Sequence, residues 1–122
     1  MKSDKQALPQ RGPLGGWIGV DLDETLARYD RWRGHHHIGE PIPLMLERVK
    51  AWLEAGIEVR IFTARAADAD SPCKPYIEGW CLKHLGRVLP ITAQKDYGLI
   101  ELWDDRAVQV IPNTGKRADG QK

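Results

Sequence analysis

The sequence predicts an α/β fold, a three-layer Rossmann-like arrangement around a mostly parallel central sheet. Short apolar runs at Trp17–Leu22, Val59–Thr63 and Leu99–Asp105 each run into polar or acidic residues, as buried parallel strands do. Amphipathic helical patterns separate these runs, and strand, helix, strand, helix, strand is the order of an open sheet with crossover helices. Such sheets bind ligands beyond the carboxyl ends of their strands, which is where this chain carries its acids.

In chain order, residues 1–15 are polar, with Pro9, Pro13 and a Gly15–Gly16 pair, and read as a flexible tail. One domain is expected over 16–112, and the closing NTGKRADGQK, 113–122, reads as a second flexible tail with nothing to bury. After the first strand, the segment Ala27–Pro41 has no helical period and is rich in Arg, His and aromatic residues. It is expected to be a hairpin or flap inserted above the site. Pro43–Glu54 places Met45, Leu46, Val49, Trp52 and Leu53 at helical spacing, and Gly56 fits the position just past the end. From Pro72 to His84, Cys73, Ile77, Trp80, Cys81 and the following Leu85 share a face, with Ser71 as N-cap and Pro72 in the first turn. Val88–Thr92 is a further candidate strand, weakened by Pro90, and Ala107–Ile111 a last short one. Trp17, Trp52, Trp80 and Trp103 fall in these elements and are expected in the core.

Composition narrows the class. The chain has 122 residues, enough for one domain, with 42% hydrophobic and 29% charged residues, a globular mixture. With 18 Lys and Arg against 17 Asp and Glu, the net charge of +1 gives no reason for a polyanion-binding surface over the whole molecule. No apolar run approaches the ~20 residues that cross a bilayer, and the first residues lack the apolar stretch of a secretory signal. Cys73 and Cys81 cannot supply a disulfide framework or a four-ligand zinc site. They are expected as small core residues in a reducing, cytoplasmic setting.

The chemistry starts with two carboxylates, Asp21 and Asp23, two positions apart at the end of the first strand in the run VDLDET, with Thr25 beside them. One can attack or bind a metal while the other handles a proton. Asp104 and Asp105 close another strand. If the two strands are neighbours, the acids converge and cannot all stay ionised without a cation. Oxygen-only ligands favour Mg²⁺ over zinc. Thr63 ends a third strand with a hydroxyl that can donate to an anion, and Lys95 can neutralise charge there. Acids, metal, hydroxyl and ammonium at one sheet edge suit phosphoryl transfer.

These residues resemble the motifs of the haloacid dehalogenase (HAD)-like superfamily of aspartate-nucleophile phosphatases. Asp21-Leu22-Asp23-Glu24-Thr25 is similar to its first motif, Ile61-Phe62-Thr63 to its second, Lys95 to its third and Leu102-Trp103-Asp104-Asp105 to its fourth. The short spacing between the first two motifs leaves no room for a cap domain, so the chain resembles a small capless member. Thr63-Ala64-Arg65 and Asp104-Asp105-Arg106 further resemble the phosphatase domain of polynucleotide kinase-phosphatases. The resemblance implies a phosphomonoester hydrolase in which Asp21 attacks phosphorus and forms an aspartyl-phosphate. Asp23 would protonate the leaving oxygen and then activate water. Mg²⁺ would be held by the Asp21 carboxylate, the Asp23 backbone carbonyl, and Asp104 or Asp105. Thr63 and Lys95 would hold phosphoryl oxygens, and backbone N–H groups after Asp21, beginning at Leu22, would add donors.

Arg65 is a candidate grip for a second phosphate or the substrate backbone. The insert carries Arg28, Arg31, Arg33, three His and Trp32, a local basic and aromatic cluster in a nearly neutral chain. Phosphate contacts from Arg31 and Arg33 with stacking on Trp32 would suit a nucleotide or nucleic-acid end. Sugar phosphates are the lesser alternative substrates, and a solvated loop would carry the same residues. His35, His36 and His37 are consecutive, so they cannot all face one metal from a strand. A receiver-type signalling domain also phosphorylates an Asp beside Mg²⁺, but here Lys95 precedes the Asp104–Asp105 pair and Asp23 adds a proton-transfer group. A catalytically inactive binding module on the same fold would be expected to have lost Asp21 or Asp23. No membrane or obligate protein partner is expected.

Overall fold

The computed structural model describes residues 13–122. The expected N-terminal tail lies outside the described residues as far as residue 12.

Four strands, β1 (Trp17–Val20), β2 (Glu58–Phe62), β3 (Ile91–Thr92) and β4 (Leu99–Trp103), form one sheet in the order β3-β2-β1-β4. Every pairing is parallel. Two helices, α1 (Pro43–Glu54) and α2 (Lys74–Leu85), link β1 to β2 and β2 to β3. Both links advance in the same direction along the sheet, so right-handed crossovers place both helices on one face. The core agrees. Ile18 and Val20 of β1, paired with Val59 and Ile61 of β2, form one cluster with Met45 and Val49 of α1 and Ile77, Trp80 and Cys81 of α2.

The expected third layer is not there among the described residues. Only Ala93–Gly98 connect β3 to β4, too few for a crossover helix. A smaller apolar group covers the second face instead. Trp17 is fully buried, stacks on Phe62 at 6.4 Å, and lies under the Arg60 guanidinium at 4.4 Å. The β3–β4 loop holds this group down, because the Trp17 indole donates to Asp96 at 2.8 Å. Gly19 belongs here, since a Cβ would sit 3.1 Å from the Trp17 ring and 3.2 Å from Leu102.

Element boundaries shift where chain chemistry decides them. α2 starts at Lys74 rather than Pro72, with Cys73 at the N-cap and Pro75 in its first turn. Ser71 caps the preceding turn, accepting from the Cys73 N–H at 3.3 Å. Gly86 ends the helix at φ 78°, a left-handed position that glycine adopts without strain. Cys73 and Cys81 are buried and free, as expected. The strand expected over 88–92 shrinks to the two residues after Pro90, which has no N–H for a ladder. Ala107–Ile111 does not join the sheet. Val110 instead bridges Arg117, with Ile111 N–H donating to Lys116 at 2.8 Å, so a small hairpin occupies part of the expected C-terminal tail.

The insert is a loop closed at its base. Ala27 bridges Pro41, and Arg28 N–H donates to the Glu40 carbonyl at 2.8 Å. Gly39 permits this pinch, because a Cβ there would lie 2.0 Å from the Arg28 carbonyl oxygen. The Trp80 indole on α2 ties the far strand of the loop down by donating to the Gly39 carbonyl at 2.8 Å.

Candidate functional site

Parallel strands put their carboxyl ends on one edge, and the order β2-β1-β4 sets three of the sequence-predicted groups side by side there. Asp21 is the first residue past β1, and its N–H continues the ladder to the Trp103 carbonyl at 2.9 Å. Thr63 is the first past β2, bonded through its N–H to Thr92 at 2.9 Å. Asp104 and Asp105 follow β4 directly. Carboxylate oxygens of Asp21, Asp104 and Asp105 all lie within 4.8 Å of one another.

Between Asp21 and the flap the chain turns tightly. The Leu22 carbonyl accepts from the N–H groups of Thr25, Leu26 and Ala27, at 3.3, 3.0 and 2.8 Å. Leu22 itself is buried in the core, so its side chain anchors the turn. The turn forces Glu24 to φ 73°, a left-handed conformation that costs a non-glycine residue about 1 kcal/mol. It also aims the Thr25 hydroxyl at the acids, 3.2 Å from Asp21 and 3.3 Å from Asp105. One hydroxyl proton serves one carboxylate at a time, so Thr25 links the two without satisfying both. Asp104 is oriented separately, accepting from the Arg106 N–H at 2.7 Å.

These surroundings push the Asp21 carboxyl up to about 7. Burial is the largest cause, followed by a hydrogen bond with Asp105 and the charge of Asp104. The cluster thus holds a proton near neutral pH unless a cation replaces it.

Asp23 takes a different role from the other acids. It is not part of the triad but is gripped by Arg65, whose Nε donates to one carboxylate oxygen at 2.8 Å and Nη2 to the other at 2.9 Å. The Arg65 side chain is only 6% exposed. Its charge is opposed by burial yet reinforced by Asp23 and then Cys73, which together raise its pKa. Thr63 is buried, and its hydroxyl accepts from the Arg65 N–H at 3.1 Å, leaving the hydroxyl proton free for an anion in the cleft.

A cleft of about 540 Å³ opens over these groups, lined by Asp21, Asp23, Thr63, Asp104 and Asp105. Tyr29, Phe62 and Arg106 also line it and were not singled out by the sequence. Arg106 carried a signal as the third residue of the Asp-Asp-Arg triplet, and Phe62 as the residue before Thr63 in the second motif. Lys95 does not line the cleft; it is exposed in the β3–β4 loop, two residues beyond the lining residue Ala93.

None of Arg31, Trp32 and Arg33 lines the cleft. Arg33 pairs with Asp30 at 2.5 Å, and that guanidinium holds the Asp30 carboxyl down at about 2. Trp32 is 50% exposed and lies over the Arg65 guanidinium at 5.0 Å. The three His do not converge: His35 Nδ1 lies 3.5 Å from the Cys73 thiol, the His36 ring 6.3 Å from that of Tyr76, and His37 contributes its backbone carbonyl, which accepts from Arg65 at 3.1 Å.

Among the described residues, no helix is long and apolar enough to cross a membrane. Comparison with family models, with curated proteins and with solved structures gave no match.

Proposed function

We propose that this chain is a Mg²⁺-dependent phosphomonoester hydrolase of the haloacid dehalogenase type, acting through an aspartyl-phosphate on Asp21. The observation that carries the reading is the convergence of the Asp21, Asp104 and Asp105 oxygens within 4.8 Å at the carboxyl ends of adjacent parallel strands. The donor set is all oxygen and carries excess negative charge, which fits a hard divalent cation. Asp21, Asp104 and Asp105 would hold it, with the Asp23 backbone carbonyl. When bound, the cation neutralises the cluster and draws charge from a phosphoryl oxygen.

The chain's own groups then divide the work. An Asp21 oxygen attacks phosphorus, the bond to the leaving oxygen breaks, and that oxygen takes a proton from Asp23, which must first be protonated from solvent against its pairing with Arg65. Asp23 next takes a proton from water, whose oxygen displaces Asp21 and releases phosphate. Thr63 donates its free hydroxyl proton to a phosphoryl oxygen. Lys95, exposed in the β3–β4 loop, would have to swing inward to hold a second oxygen. Tyr29 and Phe62 offer ring surfaces beside the site, which supports a nucleotide or nucleic-acid end as substrate.

The deciding experiment is hydrolysis of an aryl phosphate by wild type and Asp21→Asn, with and without Mg²⁺. Wild-type turnover should need the cation. Asp21→Asn should lose at least ~10³-fold in kcat with an unchanged circular dichroism spectrum, because an amide keeps the shape but cannot attack. Near-wild-type turnover in that variant would overturn the nucleophile assignment.

A further inference from the structure

Arg65 is fixed at every point but one. Its N–H bonds Thr63 and its carbonyl accepts from the Ser71 hydroxyl. Its side chain spans Asp23 in a two-point fork, reaches the His37 carbonyl with Nη2 and carries the Trp32 ring at 5.0 Å. The remaining nitrogen, Nη1, is buried without a hydrogen-bond partner. A surface ion pair would leave that nitrogen in water at little cost, whereas burying it costs free energy. Such a cost persists where the surrounding structure over-determines the group, and functional sites are where that occurs.

The contacts divide cleanly. The two-point fork fixes both position and plane of the Asp23 carboxylate, which an ammonium could not do. Each carboxylate oxygen keeps a lone pair for the cleft, which Asp23 lines and Arg65 does not. The other side of Arg65 belongs to the flap, through Trp32 and His37. The flap in turn is anchored at its base by the Ala27–Pro41 bridge and by Trp80.

We propose that Arg65 is a positioning residue for Asp23 and that Trp32 clamps it, so that the Trp32 part of the flap acts on the reaction through Arg65 rather than by touching substrate. This role rests on the reading of Asp23 as the proton-transfer group given above. It assigns Trp32 a use that stacking on a base would compete with, since Arg65 already occupies one face of the ring.

The test is a double-mutant cycle with Mg²⁺ and two substrates, an aryl phosphate and an alkyl phosphate. Arg65→Gln should lower kcat about 100-fold on the alkyl ester with KM changed less than ~3-fold, as expected when a reacting group is misplaced. Asp23→Asn/Arg65→Gln should be no slower than Asp23→Asn alone, because the arginine acts only through the aspartate. Trp32→Ala should lower kcat ~3–5-fold, and Trp32→Phe should restore it. Multiplying losses in the double variant, or an Arg65→Gln rate within twofold of wild type, would overturn the role. If Arg65→Gln fails to fold, the half-exposed Trp32 variants decide: wild-type rates in Trp32→Ala would remove the clamp. A readout independent of turnover is the Arg65 Nε–H resonance, which should exchange slowly in wild type and be lost in Asp23→Asn; rapid exchange in wild type would overturn the pairing. A wild type without turnover removes the hydrolase reading and the role with it, whereas turnover with additive losses removes the role alone.

Discussion

Cation binding should release a proton below neutral pH, and the amount follows from the site. The Asp21 carboxyl is pushed up to about 7, by burial first, then by a hydrogen bond with Asp105 and the charge of Asp104. A divalent cation needs the carboxylate, so it competes with that proton. At pH 6 about a tenth of the carboxyl is ionised, and binding should release ~0.9 proton; at pH 8 the release should fall to ~0.1. The apparent Mg²⁺ affinity should therefore drop about tenfold between pH 7.5 and pH 6 and be flat above pH 8. Isothermal titration calorimetry at pH 6 in two buffers of different ionisation enthalpy reads the proton count directly. The same shift sets a sign for stability. A carboxyl whose folded pKa lies above its ordinary 3.8 costs stability as pH rises from about 4 to about 7, with no further loss beyond. Raised that far, it could cost at most ~4 kcal/mol, and because Asp21 is only partly buried, solvent screening brings the expected cost to about 1–2 kcal/mol. Mg²⁺ should thus raise Tm more at pH 8 than at pH 5. A release below ~0.2 proton at pH 6, or equal affinities at pH 6 and pH 8, would refute a proton-loaded acidic cluster.

Two further outcomes test parts of the structure that the linkage experiment does not reach. Gly39→Ala should destabilise the fold by about 1–3 kcal/mol in urea unfolding, because its Cβ would lie 2.0 Å from the Arg28 carbonyl oxygen at the pinch of the flap; unchanged stability would mean the flap base is looser than described. Lys95→Met should cut kcat/KM about 100-fold, as removal of a donor to a transferring group does, and if Arg106→Ala carries that loss instead, the cation gripping phosphate is the one already lining the cleft.

What the sequence made legible follows from local chemistry. A buried strand is a short apolar run, and a run that ends in Asp or Thr places that residue at the sheet edge wherever the strand lies. Asp21, Thr63, Asp104 and Asp105 were therefore readable without contacts, and parallel pairing put them on one edge. Fold detail failed where length mattered more than pattern. A connection confined to Ala93–Gly98 cannot carry a helix, so the second face is closed by Trp17, Phe62 and a loop rather than a third layer. The Arg65–Asp23 fork was not readable at all. The partners are 42 positions apart, and nothing in the chain distinguishes a side chain that turns inward to an acid from one that faces substrate. The flap was legible as an interruption of helical period, but its direction was not. Its aromatic and basic residues looked like a substrate surface, and the structure spends Trp32 on Arg65 and Arg33 on Asp30.

The charge of the cleft constrains the order of events. Among the described residues, five acids line it, Asp21, Asp23, Glu24, Asp104 and Asp105, against the single cation Arg106. Arg65 neutralises Asp23 from behind, and Arg106 lies 4.0 Å from Glu24 at the mouth. What remains is the triad, with Thr25 linking two of its members by one hydroxyl. A phosphomonoester dianion brought to this edge meets like charge, and in a partly buried site that repulsion is weakly screened. Protonation of Asp21 lessens it but removes the nucleophile, since a neutral carboxyl does not attack phosphorus. Only a cation relieves the repulsion and frees the nucleophile together. On the proposed reading, the same three carboxylates that make the site hostile to substrate make it dependent on metal first and phosphate second.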